Sequence, residues 1–310
     1  MPRVSVLVPT MRIGGIDILL HGLAGQTFKD LELVLSDGIW SKRHDQVMQL
    51  AADYGVSVKH VEPRGNPFPL NAFCRYANET VRNMSSDSEI SLTITDYTWL
   101  PPDCVARHVA AHTAHPSGYG HVGPHEYVQL PKLNAAFTPY ACIPLSDVHG
   151  ALRVRELEDL EKYVSDINSG SLDSVMTSIL ESPFNIDAST LPLCPSMGGG
   201  DPKLRLPHGF VSSDHYHAKN ESFRTADILA INGWDEDLDN AHTYQDMEFA
   251  GRMTKHRGVS WDLDPTNVAY IVNPRPVFPF AKRVYHHSRN AMVWKNKETM
   301  GYPLPPPLFP

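Results

Sequence analysis

Two short apolar stretches, Val4-Ser-Val-Leu-Val-Pro-Thr10 and Leu31-Glu-Leu-Val-Leu-Ser-Asp37-Gly38, decide the fold of this 310-residue chain. Each is an aliphatic run that ends in a polar residue, which is typical of a buried strand followed by a turn. Between them, residues 16–23 have the apolar spacing of a helix. A strand, a helix and a second strand in this order predict a right-handed crossover between two parallel strands.

The same alternation continues along the first third of the chain. Helices are expected at about 45–54 and 71–82, and strands at about 56–61 and 90–95. This pattern predicts an α/β fold with a mainly parallel, Rossmann-like sheet and helices on both faces. Because ligands of such sheets bind beyond the carboxyl ends of the strands, the polar residues that follow the strands are the first candidates for a site.

Composition excludes several classes of protein. The chain is 42% hydrophobic and 20% charged, which suits a folded globular protein rather than a disordered one. Its formal net charge of -8 argues against binding nucleic acid through bulk positive charge. No run approaches the roughly 20 apolar residues that span a bilayer. Because Met1-Pro2-Arg3 leads directly into the first strand, we expect no secretory signal. Four scattered cysteines indicate a reducing compartment, so we expect a cytoplasmic protein.

Four blocks of the chain occur in a distinctive order. The first is the pair of strands quoted above, and the second is Asn71 at a helix start. The third is Thr95-Asp-Tyr-Thr-Trp-Leu-Pro-Pro102, and the fourth is Asn232-Gly-Trp-Asp-Glu236 followed by Gln245-Asp246. In their order and spacing, these blocks together resemble family 2 glycosyltransferases of the GT-A fold. The resemblance implies transfer of a sugar from a nucleoside-diphosphate sugar to an acceptor hydroxyl.

The resemblance implies one GT-A domain over residues 1–310. Residues 1–105 would form the half that binds the nucleotide sugar, and residues 106–310 the half that binds the acceptor. An insertion of helix and loop at about 150–213 interrupts the second half, and we expect it to help select the acceptor. A helix is expected at about 246–257.

The donor, a UDP- or GDP-linked sugar, is expected at the strand ends. Thr10 and Asp37 suit a base, because a hydroxyl and a carboxylate can pair with its edge, the carboxylate accepting from a ring N–H. Asp37 before Gly38 is also a common turn sequence, so a turn is the alternative. By resemblance, the residues that bind the donor are Pro9, Thr10, Arg12, Asp37, Gly65, Asn71 and Asp96.

Similar enzymes hold Mn²⁺ or Mg²⁺ through a motif with two carboxylates at the position of Asp96. This chain has Asp96-Tyr97-Thr98, with only one carboxylate, which puts the metal affinity in doubt. The candidate ligands are Asp96, Thr98 and His286. The alternatives are that Asp96 only ends a strand, and that His286 and His287 are polar residues of the surface. On a strand the two histidines would face opposite sides, so at most one could point inward. A basic residue nearby, Lys282, Arg283 or Arg289, could supply the positive charge instead.

On the acceptor side, the resemblance implies an inverting reaction in which Asp246 is the general base. The alternative is that Asp246 is the N-cap of a helix that begins at Met247. Glu248 is expected to point to another face of that helix. Trp234, Asp235 and Glu236 are predicted to bind the acceptor, a glycan or a small molecule.

Other functions stay open at this point. The single carboxylate at Asp96 favours a GT-A module that binds a sugar or nucleotide without catalysis. A nucleotidyltransferase would need a glycine-rich basic loop after the first strand, and Pro9-Thr-Met-Arg-Ile-Gly-Gly15 contains only one arginine. Related GT-A families retain the sugar's configuration. A nucleic acid acceptor is disfavoured by the acidic balance of the chain.

Overall fold

The structure is a computed structural model that describes residues 3–10, 16–38, 40–64, 72–96, 98–115, 117–128, 207–213, 216–239, 244–272 and 280–309. For some residues within these ranges, 280–289 among them, only the backbone is described. The insertion expected at about 150–213 therefore lies outside the described residues except for 207–213. The prediction of one domain with two halves stays a prediction.

The described strands and helices alternate through the first half of the chain. The strands are β1 (Arg3–Thr10), β2 (Leu31–Asp37), β3 (Val58–Val61), β4 (Ser88–Ile94), β5 (Thr98–Trp99), β6 (Tyr119–Val122), β7 (His125–Val128), β8 (Gly209–Val211), β9 (Asn220–Arg224), β10 (Ser260–Leu263) and β11 (Ala269–Val272). The helices are α1 (Ile16–Ala24), α2 (Trp40–Tyr54), α3 (Phe73–Asn83), α4 (Cys104–Ala114), α5 (Thr225–Ala230), α6 (Gln245–Arg257) and α7 (Phe280–Thr299). A short 3₁₀ helix covers Glu236–Leu238.

The main described sheet has eight strands in the order β3-β2-β1-β4-β9-β6-β10-β8. Strands β3, β2, β1 and β4 are parallel neighbours, and β10 is parallel to β6. Strand β9 runs antiparallel to both β4 and β6, and β8 runs antiparallel to β10. A smaller sheet has the order β5-β11-β7. The expected α/β architecture is therefore confirmed, with antiparallel strands inserted in the second half.

Helices cover both faces of the main sheet because the side chains of its strands alternate between two cores. In β1, Val4, Val6 and Val8 belong to one apolar cluster, whereas Leu7 belongs to the other. The first cluster includes residues of α1, α2 and α4, and the second includes residues of α3, α5 and α6. Apolar area removed from water on both faces stabilises the sheet.

Two elements differ from the sequence-based expectations. Helix α2 begins at Trp40 rather than at about Asp45, because its polar first turn hides the helical period. Residues 284–288 lie inside the 20-residue helix α7, so the argument that treated His286 and His287 as strand neighbours does not apply. The described helices include none that is long and apolar enough to cross a membrane.

Candidate functional site

The ends of three neighbouring strands bring Thr10, Asp37 and Asp96 together. Thr10 and Asp37 are the last paired residues of β1 and β2 and stand opposite each other. The Thr10 hydroxyl donates a hydrogen bond to Oδ2 of Asp96 at 2.6 Å, just beyond the end of β4. Gly38 N–H donates to the Thr10 carbonyl at 2.9 Å, so the turn after β2 is tied to β1. Asp37 therefore precedes a turn and also lies in the cluster of polar side chains at this edge of the sheet.

Asp37 is the centre of a buried ionic cluster. Arg43, in the first turns of α2, donates from Nε to Oδ2 at 2.6 Å and from Nη2 to Oδ1 at 2.9 Å. His60 of β3 places Nε2 at 2.9 Å from Oδ2. The side chains of all three residues are fully buried. Helix α2 and strand β3 thus hold the carboxylate from two sides.

Charge in this cluster sets the ionisation of Asp37. Burial alone would raise the pKa of the carboxyl group, but the Arg43 charge and the His60 hydrogen bond lower the pKa to about 2. Burial lowers the pKa of His60, against the opposite effect of Asp37. Asp37 is therefore a carboxylate at neutral pH, and His60 is a neutral imidazole that donates from Nε2.

The strand ends are closed in this structure. Thr10 is 4% exposed, Asp96 is 2% exposed and Asp37 has no exposed surface. Pro9, which precedes Thr10, lines a narrow space together with Trp234, and this space has no room for a water molecule. A ligand can reach the Asp37 carboxylate only if the atoms that now cover it move.

The proposed metal ligands are only partly described. Thr98 is buried in β5, and its hydroxyl lies 3.0 Å from the Thr95 hydroxyl, a hydrogen bond inside the fold. His286 lies on α7, where the backbone alone is described. No group of three or more His, Cys, Asp or Glu residues in the described ranges could hold a metal ion. Asp96 is thus the one described carboxylate among the predicted ligands.

Three of the residues predicted to bind the nucleotide sugar cannot be placed. Arg12, Gly65 and Asn71 lie outside the described residues. Their contacts with a donor therefore stay predictions.

Asp246 lies in the first turn of α6 and is partly buried. The helix begins at Gln245, and its N-cap is Tyr244, a non-glycine residue with φ of 66°. The alternative that Asp246 caps a helix beginning at Met247 is therefore wrong. Burial is the largest cause of the raised pKa of the Tyr216 phenol, and the charges of Glu221 and Asp246 add to it. The Asp246 carboxylate thus lies within electrostatic range of Tyr216.

Glu248 behaves as the sequence predicts. It is fully buried on another face of α6, where its two oxygens accept from Arg252 at 2.6 and 2.9 Å. Arg252 also donates to the Ile231 carbonyl at 2.6 Å. Glu248 therefore orients Arg252, which joins α6 to the preceding segment, and Glu248 is not available as a base.

The Trp234 segment is packed inside the protein. Trp234 is 1% exposed, and its ring stacks on Phe249 at a centroid distance of 4.4 Å and meets the edge of Phe73 at 6.2 Å. Asp235 is buried against Lys297 of α7. Glu236 accepts from Asn78 Nδ2 at 3.0 Å. These contacts use the three residues to join α3, α6 and α7, and a role in acceptor binding stays a prediction.

Sequence reasoning missed Arg43, His60 and Asp239. Asp239 accepts from the backbone N–H groups of Cys74 and Arg75, at 2.9 and 3.1 Å, and so caps the first turn of α3. Burial raises its pKa to about 6, although these two donors oppose the shift. The parallel pairing of β2 and β3 could have indicated His60, whereas nothing local in the sequence indicates Asp239.

No protein-family model and no curated protein sequence matches this chain. Several solved structures share its fold at low sequence identity. Staphylococcus aureus TarS 1–349 is 13% identical with a TM-score of 0.54, over 88% of this chain and 61% of that chain. The same protein in complex with UDP has a TM-score of 0.51, over 87% of this chain and 60% of the other.

A mannosyltransferase from Pyrobaculum calidifontis, PcManGT in complex with GDP-Man and Mn²⁺, is 14% identical with a TM-score of 0.51. The match covers 99% of this chain and 66% of that chain. The chain therefore spans slightly under two thirds of the length of these structures. At identities this low, the comparison shows a shared fold and nothing further. The described part of the chain has a GT-A-type fold.

Proposed function

We propose that this protein is a glycosyltransferase that moves a sugar from a nucleoside-diphosphate sugar to an acceptor hydroxyl. The observation that carries the proposal is the convergence of Thr10, Asp37 and Asp96 at adjacent strand ends of a GT-A-type sheet. The solved structures with this fold include one bound to UDP and a mannosyltransferase bound to GDP-Man and Mn²⁺. Ligands of open α/β sheets bind at this edge.

In the proposed complex, the base lies against Asp37 and Thr10 and the diphosphate lies beside Asp96. Asp37 is ionised and held in place by Arg43 and His60, so its carboxylate suits a ring N–H once the atoms that cover it have moved. The present burial of these groups means that binding must displace what covers them. The displacement reduces the net affinity, because part of the binding energy is used for it.

Asp96 suits a divalent cation only together with the phosphate groups of the nucleotide-sugar donor. A magnesium-like ion is commonly held by one or two carboxylates together with substrate phosphates, and one carboxylate is what the described residues provide. When bound, the cation would supply positive charge beside the departing diphosphate. We propose Mn²⁺ or Mg²⁺ for this role, with Asp96 as its protein ligand.

Asp246 is the proposed general base. The acceptor oxygen attacks the anomeric carbon while its proton passes to the Asp246 carboxylate. The bond from that carbon to the donor phosphate oxygen breaks, and its electron pair leaves with the nucleoside diphosphate. Attack from the face opposite the departing group inverts the configuration. Partial exposure in the first turn of α6 leaves Asp246 accessible to an acceptor, a glycan or small molecule in our proposal.

The test compares transfer and donor binding in the same variant. Asp246→Asn should lower the transfer rate about 10³-fold or more, while the Kd for the donor stays within about twofold, because Asp246 is proposed to contact the acceptor alone. Asp53→Asn, which removes an exposed carboxylate of α2, is the matched control and should leave both values unchanged. Wild-type transfer rates in Asp246→Asn would refute the base assignment.

A second candidate is a GT-A module that binds a nucleotide or sugar without catalysis. The single carboxylate at Asp96 and the closed strand ends favour it. Hydrolysis of nucleotide sugars, followed with and without Mn²⁺, separates the two functions. Donor binding without hydrolysis or transfer under either condition would support the module.

A further inference from the structure

The proline-rich segment that follows α7 lies against the rest of the protein with a period of three residues. Its described backbone, residues 302–309, forms neither helix nor strand. Tyr302 and Pro305 are half-buried and Leu308 is buried, whereas the residues between them are exposed: Pro303, Leu304, Pro306 and Pro307. A polyproline II helix has three residues per turn, so a segment with this period turns one of three faces to the protein. We call residues 302–308 the strap segment.

Three backbone carbonyl oxygens of the strap segment pair with side-chain nitrogens of α6, of the loop after α5 and of α3. The pairs are Tyr302 with His256 Nε2 at 2.6 Å, Pro305 with Asn232 Nδ2 at 2.8 Å, and Leu308 with Arg82 Nε at 3.1 Å. A carbonyl oxygen can only accept, so each nitrogen donates. Because proline has no backbone N–H, a proline-rich segment offers acceptors and few donors. The donors on the surface opposite match that chemistry.

Two glycines make room for the strap segment. A Cβ at Gly251 of α6 would lie 2.6 Å from the Tyr302 ring, and a Cβ at Gly233 would lie 2.9 Å from the Leu308 side chain. Leu308 is 8% exposed and belongs to the apolar cluster that contains residues of α3 and α6. The surface of α3, residues 232–233 and α6 therefore combines hydrogen-bond donors with space for two side chains. We call it the strap groove.

We propose that the strap groove is a binding site for an extended, proline-rich peptide segment, and that the strap segment fills it to hold the acceptor side of the protein together. Residues 232–233 lead directly into Trp234, and α6 carries Asp246 in its first turn. The strap segment binds both of these elements and also α3. Without it, α6 and the residues before Trp234 lose these contacts, so α6 opens locally more often. The benefit for transfer rests on the proposed function, whereas the binding of the segment does not.

The first test supplies the segment as a separate peptide. Leu308→Asp in the full chain puts a carboxylate into the apolar cluster, which should release the strap segment from the groove. A fluorescent peptide with the sequence of residues 301–310, followed by anisotropy, should bind this variant at least about tenfold more tightly than the wild type, where the chain's own segment competes at high effective concentration. Phe309→Asp, at an exposed position, is the matched control and should behave as the wild type. Equal affinities of the peptide for the two variants would overturn the proposal.

The second test measures amide hydrogen exchange and decides the proposal if Leu308→Asp does not fold, as judged by circular dichroism. Leu308→Ala removes most of the buried side chain, so exchange in α6 should become several-fold faster, while α1 and α2 on the other face of the sheet keep the wild-type rates. Phe309→Ala should leave all of these rates unchanged.

Neither test uses a nucleotide or a sugar, so a negative result in them leaves the proposed function standing, and a failure to bind any donor leaves the strap groove standing. Unchanged exchange in α6 of Leu308→Ala would refute the proposal. An increase of the same size in α1 and α2 would show a general loss of stability and would refute it too.

Discussion

The structure predicts that mild acid destabilises this protein through a cluster of buried histidines. His108 and His112 lie one turn apart on α4 and face β6 and β9. His108 Nε2 lies 3.0 Å from Asn220 Oδ1, and its Nδ1 lies 2.9 Å from His121 Nδ1. His112 Nε2 lies 2.9 Å from Ser222 Oγ. Neutral rings can satisfy these contacts by alternating donor and acceptor nitrogens, whereas an added proton would set two N–H groups against each other.

The magnitude follows from the pKa values. A histidine has a pKa of 6.5 in the unfolded chain. Burial lowers the pKa of His108 to about 4 and that of His112 to about 3, and the charge of His108 adds to the shift of His112. The pKa of His121 is lowered in the same direction, also by burial. Below pH 6.5 the unfolded chain binds protons that the folded protein does not. Each group then costs about 1.4 kcal/mol per pH unit until its folded pKa is reached.

Between pH 7 and pH 5, His108 and His112 should therefore each lower the free energy of unfolding by about 2 kcal/mol. Asp239 offsets about 1 kcal/mol of this loss, because its pKa of about 6 makes the folded protein take up a proton in the same range. A small domain is stable by only about 5–15 kcal/mol, so the net loss is readily measured.

Urea unfolding at pH 7, 6 and 5, followed by tryptophan fluorescence, measures this loss. His112→Leu removes one titrating group, and the slope of the unfolding free energy with pH should become shallower by about 1.4 kcal/mol per unit. Ala110→Ser, at an exposed position of the same helix, is the control and should keep the wild-type slope. A wild-type stability that does not change between pH 7 and pH 5 would refute the reasoning.

Two further substitutions test how the site is supported. Gly38→Ala would place a Cβ 2.8–2.9 Å from atoms of the buried Tyr76 side chain. This overpacking should destabilise the protein by about 1–3 kcal/mol. A melting temperature equal to that of the wild type would show that the turn after β2 is not tightly packed against Tyr76. Lys297→Met leaves Asp235 buried without its lysine, which should cost about 3 kcal/mol in urea unfolding. Lys295→Met, at an exposed position of the same helix, is the control, and its stability should stay within about 0.5 kcal/mol of the wild type. Equal losses of stability in the two variants would argue against the ion pair between Lys297 and Asp235.

The first half of the fold could be predicted because its signals are local. The runs at β1 and β2 are apolar on both faces of the sheet, and Gly38 marks the turn that follows. Helix α4 was missed because His108 and His112 interrupt its apolar face, although both are buried. Histidine inside a core needs hydrogen-bond partners from distant strands, and a single sequence does not show them.

The candidate site was predictable in position and not in its contacts. Thr10 and Asp37 are the last paired residues of two neighbouring parallel strands, so their proximity follows from the alternation of strands and helices. Arg43 could not be assigned to Asp37, because its helix was expected to begin only at about Asp45. Trp234 was expected to offer its face to a sugar, but Phe249 of α6 covers it, a contact that depends on tertiary packing.

A crystal structure of the protein with UDP and Mn²⁺ tests the central claim most directly. The account predicts the ring N–H of the base at about 3 Å from the Asp37 carboxylate, with the diphosphate beside Asp96. Nucleotide bound at another place, with the cluster around Asp37 still closed, would contradict it.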